Sequence, residues 1–261
     1  YYAIGIANQI QVQKIILYNA YQAPVSVGPD PMVPVLEVFD IDSIKKGSEE
    51  ALQEMRFKLL SEVKSNISIE VLSEFNLLPQ GIDEVCSRLQ VDLIIMGITG
   101  DGAVEETVFG SNTIKVARNT QVPIIIVPPD ATYQPLKEVV LVTDFEKVLE
   151  FTPEEPIADL LKATQAHLHI LNVEKNAKNL SDENAFESLE IDTLFYEFEP
   201  KYHFVQGDNF AEAINQFATA NKIDLIIIIP KKHGLFESVF HKSRTKELAF
   251  HSSTSLMVVH A

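Results

Sequence analysis

Cysteine is almost missing from this chain. Cys86 is the single one in 261 residues, so no internal disulfide can form. That scarcity fits a reducing compartment. Cys86 falls in a helical stretch, Gly81 to Leu89, at a position compatible with a buried face, and reads as a packing residue. Long apolar runs are also missing. The longest, Leu225 to Ile229, is far short of the ~20 residues that cross a bilayer. No basic-then-apolar leader opens the chain, so secretion is not indicated. Positive charge is scarce: 21 Lys and Arg stand against 37 Asp and Glu, a net charge of −16. Such a surface repels phosphate backbones and disfavours an extended nucleic-acid footprint. A soluble, cytoplasmic protein without a nucleic-acid or membrane partner is the expectation.

Recognisable catalytic signatures are missing too. There is no Walker A lysine motif, nucleophile elbow or H-E-x-x-H, and no Cys/His spacing for a metal. No catalytic residue and no metal ligand can therefore be assigned. All seven histidines lie beyond residue 166; His167 and His169 share one face of a strand by its period of two. They read as structural or surface groups.

What the chain does contain is a repeat. Val91-Asp92-Leu93-Ile94-Ile95 returns as Ile223-Asp224-Leu225-Ile226-Ile227, 132 residues later. Ile15-Ile16-Leu17-Tyr18-Asn19 returns in pattern as Leu168-His169-Ile170-Leu171-Asn172, 153 residues later. The first copy thus carries extra residues, many of them in the proline-rich loop Gln22 to Val35. Pro128 to Pro135 is a proline-bounded linker between two domains, 1–130 and 137–261.

Each copy alternates strand and helix. The first reads as helix Tyr2–Ile10, strand Lys14–Tyr18, helix Asp42–Val63, strand Ile67–Leu72, helix Gly81–Leu89, strand Val91–Met96, helix Asn112–Asn119 and strand Pro123–Val127. The second opens with strand Glu138–Val142 and helix Pro156–Thr164, followed by strands near His167–Val173 and Tyr202–Val205. Asn209-Phe210-Ala211-Glu212 then reads as a capping box opening a helix to Ala220. Near-continuous Ile/Leu/Val strands between helices indicate an α/β protein with parallel sheets covered on both faces. The first copy has no counterpart of the strand Glu138–Val142, so a preceding strand is expected in the physical protein.

The most specific pattern is G-x2-G-x9-G-S, carried by Gly97, Gly100, Gly110 and Ser111. It follows a buried strand ending at Met96 and opens a helix at Asn112. Glycine at a strand end lets a backbone approach a ligand. A helix N-terminus offers free N–H groups to phosphate. Glycines also make ordinary tight loops, but this spacing in strand–loop–helix context points to a nucleotide.

These four residues match the nucleotide-binding signature of the universal stress proteins. The segment Val140-Leu141-Val142-Thr143-Asp144-Phe145 resembles that family's opening strand. The resemblance covers nearly the whole chain as a tandem pair. It implies two Rossmann-like domains of the adenine nucleotide alpha hydrolase type, each a parallel sheet of order 3-2-1-4-5. It further implies a stress-response or signalling protein that binds ATP or AMP, with or without Mg²⁺. The expected nucleotide-binding residues are Ala20, Met96, Gly97, Gly100, Gly110, Ser111 and Asn112, with Ala20 flanking adenine. Asp101, with Glu105 and Glu106 following, stands where many members of that family carry a basic residue; it reads either as favouring a Mg²⁺-bound nucleotide, AMP, or none, or as part of a solvated loop.

In the second copy Gly97 aligns with Ile229, Gly100 with Lys232, Gly110 with His241 and Ser111 with Lys242, so binding is expected in the first domain only. The resemblance also implies that the terminal strands Ile124–Val127 and Leu256–Val259 pair, making an intrachain pseudo-dimer that could associate further as a homodimer. Two other readings stand beside this one. One is an interaction or scaffold protein without nucleotide. The other is a slow ATPase, for which only the three acidic loop residues are near enough to act as a base.

Overall fold

A computed structural model describes residues 1–23, 40–98, 111–145, 147–174, 182–230 and 254–261. Its helices are α1 (Tyr2–Ile10), α2 (Ile41–Leu59), α3 (Leu78–Leu89), α4 (Ser111–Asn119), α5 (Val148–Phe151), α6 (Glu154–Thr164), α7 (Asp182–Phe195) and α8 (Phe210–Ala220). Its strands are β1 (Lys14–Tyr21), β2 (Ser68–Phe75), β3 (Ile94–Gly97), β4 (Ile124–Val127), β5 (Glu138–Val142), β6 (His167–Glu174), β7 (Lys201–Gln206), β8 (Leu225–Ile228) and β9 (Ser255–Val258).

Seven strands form one sheet in the order β3-β4-β9-β8-β5-β6-β7. All its pairs are parallel except β4 with β9, which run antiparallel with Ile124, Ile125 and Ile126 opposite Val258, Met257 and Leu256. The five strands β5 to β9 therefore lie in the order β7-β6-β5-β8-β9. Strands β1 and β2 pair in parallel as a separate two-stranded sheet.

Among the described residues the first half forms no five-stranded sheet of its own: β1 and β2 stand apart, and β3 and β4 join the strands of the second half. Strand β5 joins β6 to β8 by hydrogen bonds on both of its edges. No described strand does the same for β1 and β3, the elements that correspond to β6 and β8 in the repeat. Meanwhile β4 and β9 fuse the remaining strands into one sheet.

Burial follows the alternation that a sheet covered on both faces demands. Val140 and Val142 of β5 join a cluster with Ile82 and Cys86 of α3, Val116 of α4, and Ile214 and Phe217 of α8. Val139 and Leu141 point the other way, into a cluster with Ile6 of α1, Val148 of α5, Leu161 of α6 and Phe195 of α7. None of the four β5 residues is more than 1% exposed. Each such side chain stabilises by about 1.5–3 kcal/mol relative to solvent. A third, smaller cluster, Ile4, Leu59 and Ile69, seats α2 on the two-stranded sheet.

The linker is fastened to α1. Tyr133 donates to Gln9 Oε1 at 2.7 Å, Leu136 N donates to the same oxygen at 2.9 Å, and Gln9 Nε2 returns a bond to the Leu136 carbonyl. The Tyr133 ring meets Tyr2 edge-on at 5.6 Å and lies where a Cβ on Gly5 would stand. Gly5 is therefore a close-approach glycine. At the other terminus His260 Nε2 donates to the Ala117 carbonyl of α4 at 2.6 Å. Burial holds this imidazole below its usual pKa, so the neutral donor is the favoured form at neutral pH.

The expected cap at Asn209 is present. Its side chain accepts from Ala211 N and Glu212 N, while Glu212 itself takes the Gln216 amide at 3.1 Å. Asp40 caps α2 in the same way through Ser43 N.

Candidate functional site

The strand–loop–helix unit that carries the glycine pattern is β3 followed by α4. Strand β3 pairs with β4 up to Met96↔Ile126 and Gly97↔Val127, and Ile98 N extends the ladder to the Val127 carbonyl. Thr113, in the first turn of α4, donates its hydroxyl to the Gly97 carbonyl at 2.7 Å. That bond pins the start of the helix to the end of the strand. Thr113 is 4% exposed, so its hydroxyl has little water to turn to.

Met96 is half-buried against the core cluster. Gly97 is exposed, and a Cβ built on it would meet no described atom within 4 Å. Ser111 and Asn112 are the first two residues of α4, and Asn112 is exposed. No acidic residue occupies that first turn. The Thr113 bond therefore sets the start of α4, where the helix dipole is positive, beside the Gly97 end of β3. Gly100 and Gly110, with Asp101, Glu105 and Glu106, lie outside the described residues.

Ala20 is half-buried near the end of β1, on the separate two-stranded sheet. The backbone ladder therefore brings Met96, Gly97, Ser111 and Asn112 together, and leaves Ala20 on another element.

The corresponding place in the second half is filled. Ile229, which aligns with Gly97, is 4% exposed and packs into the core beside Leu225 and Ile227. The neighbouring strand end is closed by other contacts: Thr143 Oγ1 accepts from Phe145 N, and Asn172 Nδ2 donates to the Thr143 carbonyl. Phe145 is 2% exposed and its ring lies 5.8 Å from Phe204. Lys232, His241 and Lys242 lie outside the described residues.

Asp224, the repeated aspartate, serves a structural purpose. Its Oδ2 accepts from the backbone N–H groups of Lys137 and Glu138 at 2.8 and 3.0 Å, fixing the start of β5 beside β8. Cys86 is buried in the α3 core, and that burial, aided by Asp83, pushes its thiol up to about 11. A thiol so far from ionisation is no nucleophile.

Among the described residues no group of three or more His, Cys, Asp and Glu is placed to hold a metal ion. No described helix is long and apolar enough to cross a membrane.

Thr113 is the residue that the sequence reading overlooked. Its signal was available: a small hydroxyl residue two positions after Ser111, where a first-turn side chain can turn back onto the preceding strand.

Comparison with known proteins agrees with this architecture. Residues 4–128 match the model of the universal stress protein family. No curated protein matches the sequence. Among solved structures, a universal stress protein from Archaeoglobus fulgidus superposes with a TM-score of 0.68 at 17% identity, covering 98% of this chain and 90% of its own. A putative universal stress protein from Pseudomonas aeruginosa gives 0.57 at 14% identity, covering 96% of this chain and 94% of its own. A functionally unknown protein from Pseudomonas aeruginosa gives 0.57 at 13% identity, over 97% and 94%. At these identities the likeness is one of fold.

Proposed function

We propose that this chain is a tandem universal stress protein that binds an adenine nucleotide, ATP or AMP, in its first half alone, as a stress-response or signalling factor. The domains are 1–130 and 137–261, paired within the chain as a pseudo-dimer through β4 and β9. The observation that carries the reading is the contrast between Gly97 and Ile229. At Gly97, which is exposed, no described atom lies within 4 Å of where a Cβ would stand; at Ile229 the equivalent position is packed with side chain.

In this reading Gly97 and Gly100 let the ribose and phosphates approach the main chain. Gly110, Ser111 and Asn112 donate to phosphate oxygens with the α4 dipole behind them. Ala20 flanks the base, and Met96 leads into the loop that holds the ribose and phosphates. Thr113 positions the donors by tying α4 to Gly97. Mg²⁺ would stand between a triphosphate and the acidic residues Asp101, Glu105 and Glu106. The protein's part is binding, with occupancy as the signal; no residue is assigned a catalytic step.

A second reading, an interaction protein without nucleotide, is favoured by those same three acidic residues, which repel a bare triphosphate. Calorimetry of the full chain with ATP, Mg²⁺-ATP and AMP separates the two. Saturable binding that is lost in Gly110→Asp supports the first, and no heat from any of the three supports the second.

A further inference from the structure

The amino-terminal ends of β5, β6 and β7 carry a chain of ionisable groups. Glu138, His167 and Lys201 are the opening residues of these three strands. Glu138 Oε2 lies 2.8 Å from His169 Nε2, and His169 Nδ1 lies 2.9 Å from His203 Nε2. The other Glu138 oxygen lies 2.9 Å from Nδ1 of the exposed His167. His169 is 6% exposed and His203 is half-buried. Phe217 of α8 covers both imidazoles, with its ring 4.7 Å from His203 and 6.2 Å from His169.

We propose that Glu138, His169 and His203 form a pH-responsive latch across β5, β6 and β7, which accommodates one proton between its two imidazoles and opens when a second binds. The bonding pattern dictates this. An ionised Glu138 accepts only, so His169 must present Nε2–H to it. His169 Nδ1 is then a bare acceptor, and His203 donates its Nε2–H. One added proton on the pair preserves the central hydrogen bond, whichever ring holds it. A second proton places two N–H groups face to face at 2.9 Å and two like charges in one buried site. The contact must then break, and with it the packing of β6 and β7 under Phe217.

The surroundings reinforce this. Burial, His169 and Lys201 all hold His203 below its usual pKa. Although burial opposes it, bonding to His167 and His169 keeps Glu138 below the usual carboxyl range, so it stays ionised. The other charged groups at this end are Asp224, bonded to Lys137 N and Glu138 N, with Lys137 and Lys222 in the adjoining turns. The only ionisable side chain of α8, Glu212, is exposed in its first turn and bonded to Gln216.

The sign follows. As pH falls through the ordinary imidazole range near 6.5, an unfolded His203 takes up a proton before the folded one does. Each such proton raises the unfolding constant by about tenfold per pH unit.

Denaturant unfolding of the full chain between pH 7.5 and 5 tests the latch, with His203→Gln alongside. Glutamine at 203 keeps an N–H donor for His169 and cannot titrate. The expected result is that His203→Gln lowers the pH slope by about one proton. Equal slopes in the wild type and His203→Gln overturn the latch. Nitrogen-detected NMR of the wild-type imidazoles provides a check that needs no variant. His169 should be the Nε2–H tautomer at pH 7.5, and the pair should take one proton before cooperative loss of the β6–β7 signals. Two independent titrations near the ordinary imidazole value, with the strands unmoved, contradict it.

Discussion

The hydroxyl of Thr113 donates to the carbonyl of Gly97 across a half-buried 2.7 Å hydrogen bond, the contact that ties the first turn of α4 to the end of β3. Thr113→Val keeps the shape and deletes the donor, leaving the Gly97 carbonyl without that partner. Stability should fall by about 1–3 kcal/mol, read by urea unfolding. On the proposed reading nucleotide affinity should fall as well, because the phosphate donors lose their alignment. Unchanged stability and affinity together would show that the bond positions nothing.

Ile125 and Met257 face each other across β4 and β9, at 0% and 2% exposure. A charge at either place would be buried without a partner, a change that costs several kcal/mol. Ile125→Asp and Met257→Lys should each lower the unfolding midpoint sharply. An exposed control, Phe57→Asp on α2, should change little, since Phe57 is 78% exposed. Equal effects from buried and exposed sites would remove β4–β9 as the seam of the molecule.

Gly5→Ala tests the fastening of the linker. Its new methyl would overlap the Tyr133 ring and displace it from Gln9, at a cost of about 1–3 kcal/mol. Gly47→Ala is the comparison, since a Cβ at Gly47 meets nothing within 4 Å. There the higher helix propensity of alanine should stabilise by up to about 1 kcal/mol. The two substitutions should move the melting temperature in opposite directions.

Cys86 supplies a test at alkaline pH. Its folded value is pushed up to about 11 from an ordinary 9.0. As pH rises from 9 towards 11 the unfolded thiol ionises while the folded thiol keeps its proton, so stability should decline across that window. Cys86→Ala should lose this part of the pH dependence. A disulfide reagent should label Cys86 only after denaturation.

Much of the fold was legible because apolar periodicity and repetition act locally. Helix α1 falls on the expected Tyr2–Ile10 and β5 on Glu138–Val142, each a clean pattern with clear flanks. The sheet arrangement was less legible, because the separation of β1–β2 depends on what lies beside them and not on their own residues. Helix α7 went unread: Leu189 is 61% exposed while Ile191 and Phe195 are fully buried, so its pattern is not a simple stripe. The latch was half legible. Alternation puts His167 and His169 on one face, but only the pairing of three strands brings in Glu138 and His203. At the candidate site, the sequence pointed to Gly97 and Ser111, whereas the bond from Thr113 required the helix to be seen against the strand.

The central claim is that the first half, and only the first half, holds an adenine nucleotide. Titration calorimetry of the full chain with ATP, Mg²⁺-ATP and AMP, repeated on Gly110→Asp, tests it directly. The account predicts one saturable site per chain for at least one of these ligands. Gly110→Asp should abolish it while leaving the unfolding curve unchanged. Two sites per chain, undiminished binding in Gly110→Asp, or no binding of any of the three by folded protein would contradict it.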